Sequence, residues 1–326
     1  MNERSTAVEI GLNAAILAVS EGVPRLLAIA SAQDVPPLDI LPFGPFDPTI
    51  HRTFETSLRA RVAEQTALKL GYIEQLYTFG DRGRYMAGID GSHVVSVGYL
   101  ALTRMDEECS ETLAAAAGVT WRGWYAYFPW EDWRGGRPVM LDAMILPALD
   151  AWARRSEPGD DGGRPARRRS RMRLAFGLDG FPWDEERVLE RYELLYEAGL
   201  IEEAVSDGRV TATGLDVSLG RAMSFDHRRI VATAIARLRG KIKYRPVVFE
   251  MLAPEFTLTR LQETVEAISG RHLHKQNFRR LVEGAELVEP TGATSAITGG
   301  RPAALYRFRR KILEERPAPG LKVGRG

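Results

Sequence analysis

The chain has 326 residues, 44% of them hydrophobic and 27% charged, which places it among ordinary globular proteins of two or three domains and excludes a disordered or fibrous one. Its single cysteine, Cys109, excludes an internal disulfide and a thiolate zinc site within one chain. No apolar run approaches the ~20 residues that span a bilayer, and MNERSTAVEIG lacks a basic start backed by an apolar stretch, so a cytoplasmic, non-membrane protein is expected. The net charge of +1 hides a division along the chain. From Phe225 to Leu313 roughly 17 basic against roughly 8 acidic residues leave about +9, with a comparable negative excess before them.

EIGLNAAILAVSEGVPRLLAIA, residues 9–30, predicts two apolar strands joined at Ser20-Glu21-Gly22. After a proline-rich loop, HRTFETSLRARVAEQTALKLGYIEQLYTF (51–79) opens with a helix, with Leu58, Val62 and Leu68, and Ala63 and Ala67, as its apolar stripe. EQLYTFGD and HVVSVGYLALT are further strands, making the first ~105 residues α/β with a mixed sheet.

Between residues 105 and 224 come an aromatic cluster WRGWYAYFPWEDW, a helix VMLDAMILPALDAWARR interrupted at Pro147, and EPGDDGGRPARRRSR, which composition assigns to a loop or flexible basic linker. Arg167, Arg168 and Arg169 could meet a phosphate there, although a solvated loop accounts for them as well. WDEERVLERYELLYEAGLIEEA predicts a helix with Val188, Tyr192, Leu195 and Tyr196 on one face, able to cover the sheet or to form a dimer seam.

The last third opens with Asp226 as an expected N-cap and with Val231, Ala234, Ile235, Leu238 and Ile242 on one buried face, the other face being basic. A second helix is expected from a capping box at Thr259-Arg260-Leu261-Gln262, with Leu261, Val265 and Ile268 inward and Gly270 at its end. HKQNFRRLVEG then places Phe278, Leu281 and Val282 on a narrow apolar stripe, with Lys275 and Arg279, and Gln276 and Arg280, at i, i+4 on the opposite side. Helix, turn and basic helix is the layout of a helix-turn-helix, and LVEPTG with ALYRFRR around a tip ending at Arg301 and Pro302 suggests a wing. Arg reads guanine edges and Gln or Asn reads adenine. Gln276, Asn277 and Arg280 are therefore the candidates for base edges, and Lys275, Arg279 and Arg301 for phosphate or minor groove. The alternative is a winged fold used only for protein contacts.

RLRGKIKYRPVVFEMLAPEFTLTRLQETVEAISGRHLHKQNFRRLVEGAELVEPTG followed by GRPAALYRF resembles the C-terminal winged helix of the Nudix-related transcriptional regulators of NAD metabolism, the NrtR family. EQLYTFGDRGR and VVSVGYLALT resemble that family's Nudix-like half, and the middle segment is more similar to its NadQ-like proteobacterial branch. The resemblance covers roughly residues 1–104 and 223–312. It implies a Nudix-like α/β/α sandwich with a mixed sheet (1–104), an insert completing it (105–223), a winged helix-turn-helix (224–312) and a disordered tail (313–326).

Nudix hydrolases carry G-x5-E-x7-R-E-U-x-E-E-x-G-U, whose glutamates hold the divalent cations that activate water. Set against it, this chain has Arg52 at the first Glu, Ala60 and Arg61 at R-E, Glu64-Gln65 at E-E, and Ala67 at the late glycine. One carboxylate is left, and arginine can grip phosphate without a metal. The resemblance thus implies no catalytic residue, no metal and no required cofactor, but a sensor for an adenine-containing effector such as NAD, ADP-ribose or ATP. Arg61, Glu64, Tyr77, Phe79, Arg82 and Arg84 are the candidates to hold it, unless Tyr77 and Phe79 are core residues. The partners implied are double-stranded DNA with a palindromic operator, in the nucleoid, and a second copy of the chain. An active hydrolase of ADP-ribose or NADH-like substrates, with Glu55, Glu64 and Glu74 rearranged around a metal, is the alternative.

Overall fold

The computed structural model describes residues 8–81, 93–105, 118–155, 163–209, 219–295 and 302–321. Strands β1 (Val8–Ser20) and β2 (Val23–Ala30) meet at Glu21 and Gly22, with φ of 52° and 71°. A two-residue turn with positive φ matches the right-handed twist of a hairpin, as the Ser-Glu-Gly turn predicted. Strands β3 (Asp39–Ile40), β4 (Phe43–Pro45), β5 (Tyr72–Phe79), β6 (His93–Leu102) and β7 (Val119–Gly123) complete one sheet in the order β3-β2-β1-β6-β5, with β4 on β1 and β7 on β2. β1 and β6 run parallel from Val8↔His93 to Leu17↔Leu102, and the other pairings are antiparallel. The sheet is mixed, and β1 is buried along most of its length because both faces are covered.

Helix α1 (Phe54–Thr66) covers one face, Leu58 and Val62 packing with Leu12, Ile16, Leu27, Val97 and Tyr99. Thr53 and Thr56 form a reciprocal capping box, and the helix ends at Ala67 in the left-handed region, φ 57°. The stripe differs from the expected one: Ala63 and Ala67 are exposed, while Ser57 and Thr66 are buried. Thr66 is tolerated because its hydroxyl donates to the Val62 carbonyl at 2.7 Å.

The insert supplies 3₁₀ turns at Trp124–Ala126 and Pro129–Glu131, whose Trp124, Tyr127, Phe128 and Trp130 are fully buried. A π turn, Leu141–Ile145, leads into α2 (Leu146–Arg154) with Pro147 in its first turn, where a break was expected. The basic linker is corrected: Arg164–Phe176 is a helix, α3. Pro165 suits its first turn and Gly177 its left-handed end. Its arginines are offset by packing that composition does not reveal. Arg168 lies 4.4 Å over the Trp152 ring and donates to the Arg155 carbonyl, and Arg171 makes a bidentate pair with Glu197. Helices α4 (Val188–Glu197) and α5 (Glu202–Ser206) follow, and the expected apolar face of α4 is buried against α6.

Helix α6 (His227–Lys241) covers the second face of the sheet, where a Cβ at Gly98 would come within 3.1 Å of Ile230. Its predicted stripe is buried throughout. Asp226 stands at the N-cap, but its side chain pairs with Arg229 and caps nothing. The basic face is there as expected, but its cations are paired, and most of them are turned into the molecule. Arg228 pairs with Glu203, Arg239 with Glu131, Arg229 with Asp81 and Glu193, Arg237 and Lys241 with Glu74, and Lys243 with Glu185 and Glu186. Much of the positive excess of the C-terminal third therefore neutralises the acidic excess before it, across an internal interface.

Helices α7 (Leu258–Ser269) and α8 (Lys275–Ala285), strands β8 (Val288–Ser295) and β9 (Ala303–Phe308), and a bridge between Phe256 and Tyr306 form the C-terminal module. The cap of α7 is Thr257, which accepts from the Arg260 amide, two residues before the expected Thr259. Leu261, Val265 and Ile268 point inward and Gly270 ends the helix at φ 74°, as expected. The disordered tail is corrected over its described part. α9 (Ile312–Glu315) and the residues to 321 return to the body, with Ile312 and Leu321 buried and the Leu321 amide donating to the Ile242 carbonyl.

Candidate functional site

The residues chosen for nucleic-acid contact sit on α8. Phe278 and Val282 are buried; Lys275, Gln276, Asn277, Arg279 and Arg280 are exposed, and among the described residues none of the five makes a side-chain hydrogen bond or ion pair. At ~100° per residue, Gln276, Asn277 and Arg280 stand opposite the buried pair, whereas Lys275 and Arg279 stand on one flank. That flank opens on a groove of about 630 Å³ shared with Thr257, Thr259, Pro302 and Tyr306. The first turn of α7, the flank of α8 and the root of the wing thus converge with two free cations, a setting suited to a phosphodiester. Arg301 lies outside the described residues.

The turn between α7 and α8 is tied to the body. The Tyr125 hydroxyl donates to the Ala267 carbonyl at 2.8 Å, Arg239 Nε to the Ile268 carbonyl at 2.9 Å, and the Trp133 amide to the Gly270 carbonyl at 2.6 Å. These bonds satisfy carbonyls that a helix C-terminus leaves open. At Gly270 a Cβ would fall 2.5 Å from the Glu131 carbonyl oxygen, on a backbone that already requires positive φ. Gly270→Ala should therefore lower stability by at least about 1 kcal/mol, measurable as a lowered urea midpoint, and loosen the module from the sheet.

Among the described residues, the candidate effector residues are not brought together. Arg61 and Glu64 lie on α1 and pair with each other at 2.9 Å. Tyr77 and Phe79 pack on the opposite face of the sheet, rings 5.3 Å apart, where Phe79 belongs to the core cluster under α6. Phe79 is corrected: it is only 4% exposed, clamped beneath Arg229 at 4.9 Å, and is a core residue. Tyr77 is exposed. Arg82 and Arg84 lie outside the described residues.

A pocket on the α6 face was missed. Gly11, Asn13, Phe43, Gly44, Ser96, Phe225 and His227 are among the residues lining a cavity of about 50 Å³ at the start of α6. Small residues on β1, β4 and β6 leave the space, and the rings of Phe43, Phe225 and His227 wall it at 5.3–5.8 Å from one another. Asn13 is 3% exposed, and its amide makes no hydrogen bond among the described residues. Phe225 adopts φ 58°, a strained conformation for an aromatic residue. One signal for this pocket was legible: a lone Asn inside the apolar run of β1.

Burial pushes the His227 pKa down to about 3. Its Nδ1 accepts from the Leu41 amide at 3.0 Å, so the neutral ring carries its proton on Nε2. Because the folded pKa lies below the unfolded one, protons favour the unfolded chain throughout the interval between about 3 and 6.5. Stability should fall by about 1.4 kcal/mol per pH unit as pH drops below ~6.5. Urea unfolding at pH 7.5 and 5 should show the loss, and His227→Gln should flatten it.

Among the described residues no three His, Cys, Asp or Glu side chains group as metal ligands. Glu55 pairs with Arg59, Glu64 with Arg61, and Glu74 with Lys241 and Arg237.

Residues 248–308 match the family model of the NrtR DNA-binding winged helix domain, so the C-terminal module is a winged helix of that type. An ADPR responsive transcriptional repressor, NtrR of Acinetobacter baylyi, is 42% identical over 94 residues, covering 29% of this chain and 37% of that protein. The chain thus aligns with under half the length of this relative. Shewanella oneidensis NrtR complexed with a 27mer DNA superposes with a TM-score of 0.56 at 21% identity over 94% of this chain and 95% of that one. A MutT/nudix family protein from Enterococcus faecalis superposes at 0.51 with 16% identity, over 95% and 89%. These likenesses are of fold, and they bear out a Nudix-like mixed α/β sheet joined to a winged helix.

Proposed function

We propose that this chain is a DNA-binding transcriptional regulator, a cytoplasmic repressor of NAD biosynthesis or salvage genes, whose Nudix-like sheet senses an adenine-containing NAD metabolite without hydrolysing it. The observation that carries the reading is the set of five uncommitted polar and basic side chains on α8, beside an α6 whose cations are all engaged. A single winged helix touches few base pairs, so the working form is a homodimer on a two-fold related operator.

ADP-ribose, NAD and ATP are the candidate effectors, with the Asn13 pocket as the point where an adenine edge would enter. The unpartnered amide offers one donor and one acceptor to such an edge, and the aromatic walls offer faces to stack on. The cavity is smaller than a nucleotide, so occupancy must displace Phe225 and His227. Those residues begin α6, and about 18 Å along the helix Arg239 holds the α7 terminus. A push at one end of α6 would thus be delivered to the turn that sets the position of α8.

The test is an operator titration of the full chain against promoters of NAD genes, with and without ADP-ribose, NAD, ATP and nicotinate. Lys275→Ala and Arg279→Ala should each weaken binding to all sequences and flatten the salt slope by about one unit. No salt-dependent binding to any duplex would overturn the reading.

Catalytic inactivity is a separate part of the proposal, supported by the engagement of Glu55, Glu64 and Glu74 with cations. ADP-ribose incubated with the protein and Mg²⁺ or Mn²⁺ should release no AMP above the protein-free control; turnover would restore the hydrolase.

A further inference from the structure

A second cavity, of about 400 Å³, lies at the seam between the sheet and the winged helix, on the stretch that follows β6 and the residues around β9. It is within the size range of small-molecule sites, which favour such junctions. One wall is aromatic: Phe249 and Phe308 stack at 4.5 Å and 21°, Phe256 lies 5.6 Å from Phe249, and Leu313, half exposed, also lines the space.

Two guanidinium groups with uncommitted nitrogens line the same space, one from the stretch after β6 and one from the stretch after β9. Arg104 is held by one bond, Nε to the Leu252 carbonyl at 2.6 Å, and its terminal nitrogens have no partner among the described residues. Arg310 has no side-chain partner among them either. Both differ from Arg307, which also lines the cavity but pairs with Glu289. Uncommitted guanidinium nitrogens beside an aromatic wall are available to grip an anion that also offers a flat face. Glu250, which is exposed, also lines the space and disfavours a multiply charged anion there.

We infer that the seam cavity is a ligand site for a small aromatic carboxylate, its ring against Phe249 and Phe308 and its carboxylate between Arg104 and Arg310. Guanidinium forks suit a carboxylate, and the stacked rings suit a flat apolar body. A ligand bound this way joins the end of the sheet to the end of the wing, and so influences how the two are set. The site is independent of the Asn13 pocket and of the effector proposed for it.

The probe is 2-naphthoate, titrated into the full chain and followed by its fluorescence anisotropy. One saturable site per chain is expected. Arg310→Ala, an exposed position that leaves the fold intact, should weaken it at least about tenfold, as should Arg104→Ala. Naphthalene-2-carboxamide, the same ring without the charge, should bind at least about tenfold more weakly. Arg169→Ala, an exposed cation elsewhere, should bind as the parent does. Equal binding by Arg310→Ala, equal binding of the carboxamide, or absence of a saturable site would overturn the inference. So would loss of the naphthoate site in the presence of saturating ADP-ribose, which would place the probe in the sheet pocket.

Discussion

Glu131→Gln should cost about 3–5 kcal/mol of folding stability, the loss typical of a buried ion pair stripped of one partner. Glu131 is buried between two buried arginines, Arg191 Nε at 2.6 Å and Arg239 Nη1 at 2.7 Å. Burial by itself would raise the Glu131 pKa, and Arg191 and Arg239 more than offset it, leaving the pKa lowered. The stability this supplies is present above the carboxylate's unfolded pKa and is lost as pH falls through the folded one. Gln leaves two charges without a counter-charge in low dielectric.

The arginines also serve helix ends. Arg191 donates to the Ala175 and Asp184 carbonyls, and Arg239 to those of Glu185 and Ile268. Replacing Glu131, Arg191 and Arg239 together by methionine, which rescues many buried ion pairs, should therefore fail here, because carbonyls at the ends of α3 and α7 lose donors. Urea unfolding compares the parent, Glu131→Gln and the triple variant. A triple variant as stable as the parent would show that the cluster acts only through its charges. At a denaturant concentration too low to unfold it, Glu131→Gln should also lose operator affinity, since Arg239 holds α7.

Arg280→Ala should lower operator affinity by about 1–3 kcal/mol, roughly a factor of 5 to 150, and relax preference at one operator position. Arg280 projects from α8 on the side away from Phe278 and Val282 and has no internal partner among the described residues. Its loss therefore costs little in folding and shows in binding alone. Gln276→Ala and Asn277→Ala should act at neighbouring operator positions with similar size. The contrast with Lys275→Ala, which should weaken all sequences alike, separates base reading from phosphate contact. Selections of randomised operators by parent and variants measure it, and an Arg280→Ala protein with parental sequence preference would remove Arg280 from the base-reading group.

The sequence by itself determined whatever depends on residues near one another along the chain. Alternation and apolar runs predicted β1, β2, β5 and β6, and helical spacing predicted the buried faces of α6, α7 and α8, because backbone periodicity and side-chain direction are local properties. The same locality made α8 legible: the exposure of its five polar and basic residues beside the buried Phe278 and Val282 follows from spacing alone. The tertiary structure alone decided where charges go. Arg228, Arg239 and Arg191 look solvated in a one-dimensional pattern and are buried in space, because Glu203 and Glu131, which neutralise them, lie 25 to 108 residues away. It likewise made a helix of RPARRRSR by supplying Trp152 and Glu197, and set Arg61 and Phe79 on opposite faces of one sheet. The pocket was hidden for the same reason: Gly11, Phe43, Ser96 and Phe225 belong to four segments that meet only when β1 and β6 pair and α6 closes over them. A long-range pairing, costly in chain entropy, must exist before such a site does.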